Sequence, residues 1–332
     1  MPARRAWIPR CLLIPALVAV SAPAAGGCSS ATATVTPAGP EKPDITVAAV
    51  PASGAAGLYI AQDEGLFKRH GLHVTILPSV SATVVLAELR AGRIDVSLGQ
   101  YTADILAQAK GIASLKILAE GNMGGPGTGE VLVPGGSAVK TPAQLKGKTI
   151  AVNVLNGLAE LEVMDDLKGY GITADQVHFT AIPFPSEAAA LNAGQVSAAY
   201  MVEPYISQAE MAAGAKVLLD TNSGATMNFP VEGYAVTRAW AQKYPRTAAA
   251  FAAAIDQGQD IAGRDKGEAE KVLVKFLGIT PRVASVMSLG TYPDRVDPAP
   301  LTRVGVLMQT FPAVSGLAST VNVAQVIKEL TR

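Results

Sequence analysis

Cysteine is nearly absent from this chain: Cys11 and Cys28 are the two it has. That excludes a disulfide scaffold and leaves no cysteine pair for a metal or redox centre. Histidine is almost as scarce, at His70, His73 and His178. His70 and His73 have a spacing that can bind metal on a helix, but Gly71 breaks the helix between them, so neither a metal nor a cofactor is expected. Aromatic residues make up 5% of the chain, and 27 basic side chains balance 27 acidic ones. Stacking platforms and a basic surface are therefore both missing, and no nucleic-acid partner is expected.

Catalytic signatures are missing as well. No Gly-x-Ser-x-Gly elbow occurs, so a serine hydrolase has no visible nucleophile. Gly124 to Gly129 is glycine-rich, but it lacks the lysine of a phosphate loop and leads into Val131-Leu132-Val133, a strand; it reads as a flexible crossing segment. Glu160, Glu162, Asp165 and Asp166 fall on one predicted helix with Lys168 nearby, and the expectation for them is a solvated face. The chain is expected to catalyse nothing.

What is present is a large apolar fraction, 49% of 332 residues, enough for a sizeable core and for about two domains. The start of the chain carries Arg4, Arg5 and Arg10, an apolar stretch from Cys11 to Val20, and small residues from Ser21 to Gly27. This is the order of a secretory signal, 1–27, with an apolar stretch too short to span a membrane comfortably. Removing it before Cys28 leaves a single thiol at the first mature position, and Ala25-Gly26-Gly27-Cys28 resembles the bacterial lipobox. Lipidation of Cys28, with residues 28–43 as a tether, is the resulting expectation. The protein would then face the extracytoplasmic side of the cell membrane.

From Asp44 onward strands and helices alternate. Ile45 to Val50 is a β-branched run ended by Pro51; a helix from Gly57 to before Gly71, a strand at His73 to Leu77, a helix after Ser81 stopped by Gly92, and a strand at Ile94 to Leu98 follow. The same order recurs about a hundred residues on, at Lys148–Val152, Gly157–Lys168, Val177–Ile182 and Ser186–Ala193. Leu89-Arg90-Ala91-Gly92-Arg93-Ile94 is echoed by Leu191-Asn192-Ala193-Gly194-Gln195-Val196. Single helices between strands imply parallel pairing. The expected fold is α/β, with two lobes of mainly parallel sheets flanked by helices. The lobes are expected at 44–129 plus 234–332 and at 130–233, with crossings near Gly121 to Gly135 and Thr221 to Gly233 forming a two-segment hinge.

Ligands of open parallel sheets sit outside the carboxyl ends of the strands. That rule selects the loops Pro51–Gly57, Ser79–Thr83, Gly99–Thr102, Asn153–Gly157 and Val202–Tyr205. In and beside them the candidate ligand-binding residues are Ser53, Gly54, Tyr59, Ser81, Thr83, Gln100, Tyr101, Asn153, Asn156, Glu203 and Tyr205. None of these loops carries Lys or Arg, and Glu203 adds an acid. The preference is therefore for a neutral or amine-bearing heterocycle over a sulfonate.

Leu58 to Phe67 followed by Gly71-Leu72-His73-Val74, with Ala91 to Asp95, Leu145 to Val152 and Ala199 to Tyr205, resembles bacterial solute-binding proteins for aliphatic sulfonates, taurine and thiamine pyrimidine precursors. The resemblance implies a class II periplasmic-binding-protein fold and a monomer that captures a small molecule between its lobes and delivers it to the permease subunits of an ABC importer. The alternatives are a pyrimidine-precursor synthase of the same fold, whose Cys-rich motif is missing here, and a ligand sensor without transport.

Overall fold

The computed structural model describes residues 39–79 and 82–332. The expected signal, Cys28 and the tether up to residue 38 lie outside the described residues. No helix among the described residues is long and apolar enough to cross a membrane.

Twelve strands follow one another among the described residues. The first four are β1 (Asp44–Ala49), β2 (His73–Pro78), β3 (Val96–Gln100) and β4 (Leu115–Glu120). A short β5 (Met123–Gly124) leads to β6 (Gly129–Val133), β7 (Thr149–Val152), β8 (His178–Ala181), β9 (Ala198–Val202) and β10 (Lys216–Asp220). A short β11 (Phe229–Pro230) and β12 (Glu232–Thr237) complete the set. They form two five-stranded sheets ordered β2-β1-β3-β12-β4 and β8-β7-β9-β6-β10, with helices packed against them.

The two orders are the same arrangement used twice. In each sheet four strands share a direction and one, β12 or β6, runs against its neighbours. The reversed strand is in both cases the first one laid down after the chain has crossed between sheets. It enters from the edge at which the other strands end, so its direction is set by where the chain arrives, and the sheets are mainly parallel, as expected. The repeated Leu-x-Ala-Gly segments stand before the equivalent strands β3 and β9. Gly92 and Gly194 turn there with φ of 70° and 69°, left-handed backbone that glycine takes without a Cβ penalty.

The two crossings are paired. β5 and β11 form a small antiparallel sheet, Phe229 opposite Gly124 and Pro230 opposite Met123. A third segment joins them where Met123 and Thr291 exchange backbone hydrogen bonds of 2.9 and 3.0 Å.

The helix expected from Gly57 to Gly71 is two, Ala56–Asp63 and Leu66–Arg69, because Gly65 at φ 66° redirects the chain. Every residue from Ala56 to Ala61 is buried, since this helix is covered by the long helix Pro245–Arg264. That partner presents Ala248, Phe251, Ala254, Ile255, Gly258 and Ala262 at helical spacing. At the crossing point a Cβ on Gly258 would collide with the carbonyl oxygen of Gly57. Backbone cannot yield as a side chain can, so Gly258→Val is expected to destabilise the protein by about 3 kcal/mol or more. A drop in the urea midpoint checks this; an unchanged midpoint would mean that the helices slide apart at no cost.

Candidate functional site

A cavity of about 110 Å³ lies between the two sheets, at the ends where their parallel strands stop. The first sheet contributes the loop after β1 (Ala52, Ser53, Gly54), the end of β3 (Ser97 to Gln100), Ala103 and Asp104 of the helix that follows, and Val231 and Glu232 at the start of β12. The second contributes Asn153 and Val154 after β7, Leu158, Phe184, and Tyr200 and Val202 of β9. Asn122, Thr128 and Asn222 come from the crossings. Hydrogen bonds close one side of the cavity from wall to wall. The Ser53 N–H donates to the Glu203 carbonyl oxygen at 3.0 Å, and the Tyr205 hydroxyl donates to the Pro51 carbonyl oxygen at 3.0 Å.

The first wall is acidic. Asp104 and Glu232 are 7% and 9% exposed, and no hydrogen-bond donor reaches either carboxyl among the described residues. Burial alone pushes Asp104 up to about 7 and Glu232 up to about 8, because a carboxylate taken out of water loses hydration that nothing here replaces. The side-chain carbonyl oxygens of Asn122 and Asn153 are also buried without a partner. Gly54 makes room for this cluster: a Cβ there would sit 2.7 Å from Asn122 Oδ1 and collide with the Glu232 carboxyl. Among the described residues lining the cavity there is no Lys, Arg or His.

The second wall is aromatic and braced from behind. The Tyr200 hydroxyl donates to Glu162 Oε2 at 2.8 Å, and the Asn222 amide donates to Glu162 Oε1 at 3.1 Å. The Thr128 hydroxyl lies 2.6 Å from Asn222 Oδ1, tying one crossing to the other. Glu162 is fully buried and Glu160 nearly so, which corrects the expectation of a solvated acidic face. Glu162 is enclosed by Tyr200, Thr221 and Asn222, while Asp165 and Asp166 of the same helix, Leu158–Gly169, stay half-buried.

Ser53, Gly54, Gln100 and Asn153 line the cavity. Tyr59 does not: it is buried beneath the first sheet, its ring stacked on Phe276 with centroids 4.8 Å apart. Tyr101 is turned inward, its hydroxyl donating to Glu120. Asn156 is exposed at φ 59° and stays outside. The Glu203 carboxyl points away from the cavity, accepting from the Ser207 hydroxyl at 2.8 Å, the Ser207 N–H at 3.2 Å and the Ser288 N–H at 3.3 Å. Tyr205 stacks on the lining residue Phe184 and does not line the cavity itself. Ser81 and the Thr83 side chain lie outside the described residues. Sequence reasoning missed Asp104, Glu232, Asn122 and Tyr200. Asp104 stands one helical turn past Gln100, a spacing that could have drawn attention to it.

Two sheets of one strand order around an enclosed cavity, joined by paired crossings, define the two-lobed periplasmic-binding-protein fold. The chain belongs to the NMT1-like family, whose sequence model matches residues 38–278. Among solved structures, the alkanesulfonate-binding protein SsuA from Xanthomonas axonopodis pv. citri, bound to MOPS, is 22% identical with a TM-score of 0.70 over 86% of this chain and 98% of that one. The periplasmic nitrate-binding protein NrtA from Synechocystis PCC 6803 is 14% identical with a TM-score of 0.74 over 89% and 87%. A Candida albicans gene product exhibiting the generic periplasmic binding protein structural fold is 18% identical with a TM-score of 0.67 over 87% and 96%. No curated protein matches the chain.

Proposed function

We propose that this protein is the solute-binding component of an ABC importer. It works outside the cytoplasm, as a monomer held to the membrane by lipid on Cys28. Its lobes close over a small molecule, a pyrimidine-type nitrogen heterocycle or an aliphatic sulfonate, which it passes to the permease subunits. The observation that carries this reading is the cavity between equivalent sheets, whose lining includes three buried oxygens, of Asp104, Asn122 and Asn153, with no partner among the described residues. Buried polar atoms are otherwise paired almost everywhere in folded proteins, so such a group of orphans marks a place for a ligand. At about 110 Å³ the space is smaller than a cavity of 150 Å³ that takes benzene, which confines the ligand to a small ring or a short chain.

Native mass spectrometry of the protein purified from its own cells tests this. One small molecule per chain is expected on the wild type and none on Ala103→Trp, whose indole would fill the cavity from its helical wall. Added back at a hundred times its Kd, that molecule should stabilise the wild type by about 2.7 kcal/mol and leave Ala103→Trp unmoved. A bare wild type, with no small compound stabilising it, would refute the proposal.

A further inference from the structure

The solute-binding reading leaves the ligand's chemistry open, and the cavity's unpaired atoms narrow it. We propose, resting on that reading, that the cavity selects a small solute bearing a basic or N–H-rich nitrogen group, received by the carboxyls of Asp104 and Glu232, with its apolar part against Tyr200 and Phe184.

The two acids share one wall by construction. Glu232 stands directly opposite Gln100 in the pairing of β12 with β3, and Asp104 lies one turn along the helix that begins just after Gln100. Both belong to the first sheet's side, so acidity is concentrated on one wall. The buried cavity-lining atoms without a partner are acceptors: Asp104 Oδ2 and the side-chain carbonyls of Asn122 and Asn153. The hydroxyl that the second wall could offer is already committed, since Tyr200 donates to Glu162. A sulfonate or nitrate brings acceptors and negative charge to a wall that carries two carboxyls and no cation. An ammonium, amidinium or amino-substituted ring brings N–H donors that the two carboxyls can accept. The aromatic wall also suits a cation or a flat ring, through the negative faces of Tyr200 and Phe184.

One rival exists within the same cavity: protonated carboxyls could themselves donate to an anion. Neutral amides distinguish the two, because Asp104→Asn and Glu232→Gln keep a donor and remove the negative charge. The experiment is calorimetric titration of the full chain with benzylamine and 4-aminopyridine, with benzyl alcohol as neutral isostere, and with methanesulfonate and nitrate. The same wild-type sample is assayed for a co-purified molecule by native mass spectrometry.

Nitrogen probes should bind at least tenfold more tightly than benzyl alcohol. Each substitution should weaken them at least tenfold and leave benzyl alcohol where it was, which separates lost recognition from a lost fold. Methanesulfonate or nitrate binding that survives both substitutions would overturn the ligand class and leave solute capture standing. Nitrogen probes that bind equally well to the substituted proteins would overturn the roles of the two acids. If no probe binds, the co-purified molecule decides: one with a basic or N–H-bearing nitrogen supports the class, and one without it overturns it. No probe bound and no molecule recovered would remove the solute-binding reading itself.

Discussion

The melting temperature is expected to fall continuously as pH is raised from about 5 to 9, where most proteins show a broad maximum. The cause is a set of carboxyls whose only strong influence is burial. Glu187 is fully buried with neither oxygen partnered, and its pKa is pushed up to about 9. Glu232 follows at about 8 and Asp104 at about 7, each for the same reason. In the unfolded chain these groups return to ordinary values of 4.5 for Glu and 3.8 for Asp. The folded state therefore holds more protons than the unfolded state between those limits, and its stability declines with rising pH. The contribution is intact below about pH 4 and lost in turn as pH climbs through 7, 8 and 9. Each group costs about 1.4 kcal/mol per pH unit while the two states differ in protonation. Glu187→Met removes a polar group that makes no hydrogen bond and keeps its length. It should change little at pH 5, raise the melting temperature at pH 9, and flatten the slope by one group's share. A wild-type profile that is level or rising from pH 5 to 9, measured by circular dichroism, would contradict this account.

Much of the fold can be read from local signals, because those signals are physical causes. A β-branched run ended by Pro51 makes β1, and the glycines at 92 and 194 stop their helices because other residues resist φ near +70°. Strand direction has no such local cause. The segment at Glu232 to Thr237 reads the same whichever way it runs, and its reversal follows from where the second crossing delivers it. That reversal hides the site. Looking past the carboxyl ends of strands finds Ser53, Gly54, Gln100 and Asn153, but it cannot find Glu232, which reaches the cavity from a strand's amino end. Asp104 escapes because it is the buried exception on a helix, where an acid near the amino end is ordinarily a solvated group complementing the dipole. Glu162 escapes for a related reason: an acid on a helix reads as solvated, and its enclosure comes from Tyr200, Thr221 and Asn222, which stand far along the chain.

Glu162→Leu is expected to unsettle both the second lobe and the site, with Glu162→Gln roughly midway in stability between it and the wild type. Glu162 lies wholly inside, and its two oxygens accept from Tyr200 at 2.8 Å and Asn222 at 3.1 Å. Leucine fills similar space and accepts nothing, so a phenol and an amide are left buried with their donors unmet. At about 1–3 kcal/mol for each orphaned group, the loss is about 2–6 kcal/mol, a large part of the 5–15 kcal/mol that keeps a typical domain folded. Glutamine keeps one acceptor and should lose about half as much. Tyr200 and Asn222 are also cavity wall, and Asn222 meets Thr128 of the other crossing, so freeing them loosens the wall and the hinge together. Urea midpoints should fall in the order wild type, Glu162→Gln, Glu162→Leu, and retention of the co-purified solute should fall in the same order. Should Glu162→Leu keep the wild-type midpoint and its solute, the carboxyl would be a passive occupant of the core and the brace assigned to it would not exist.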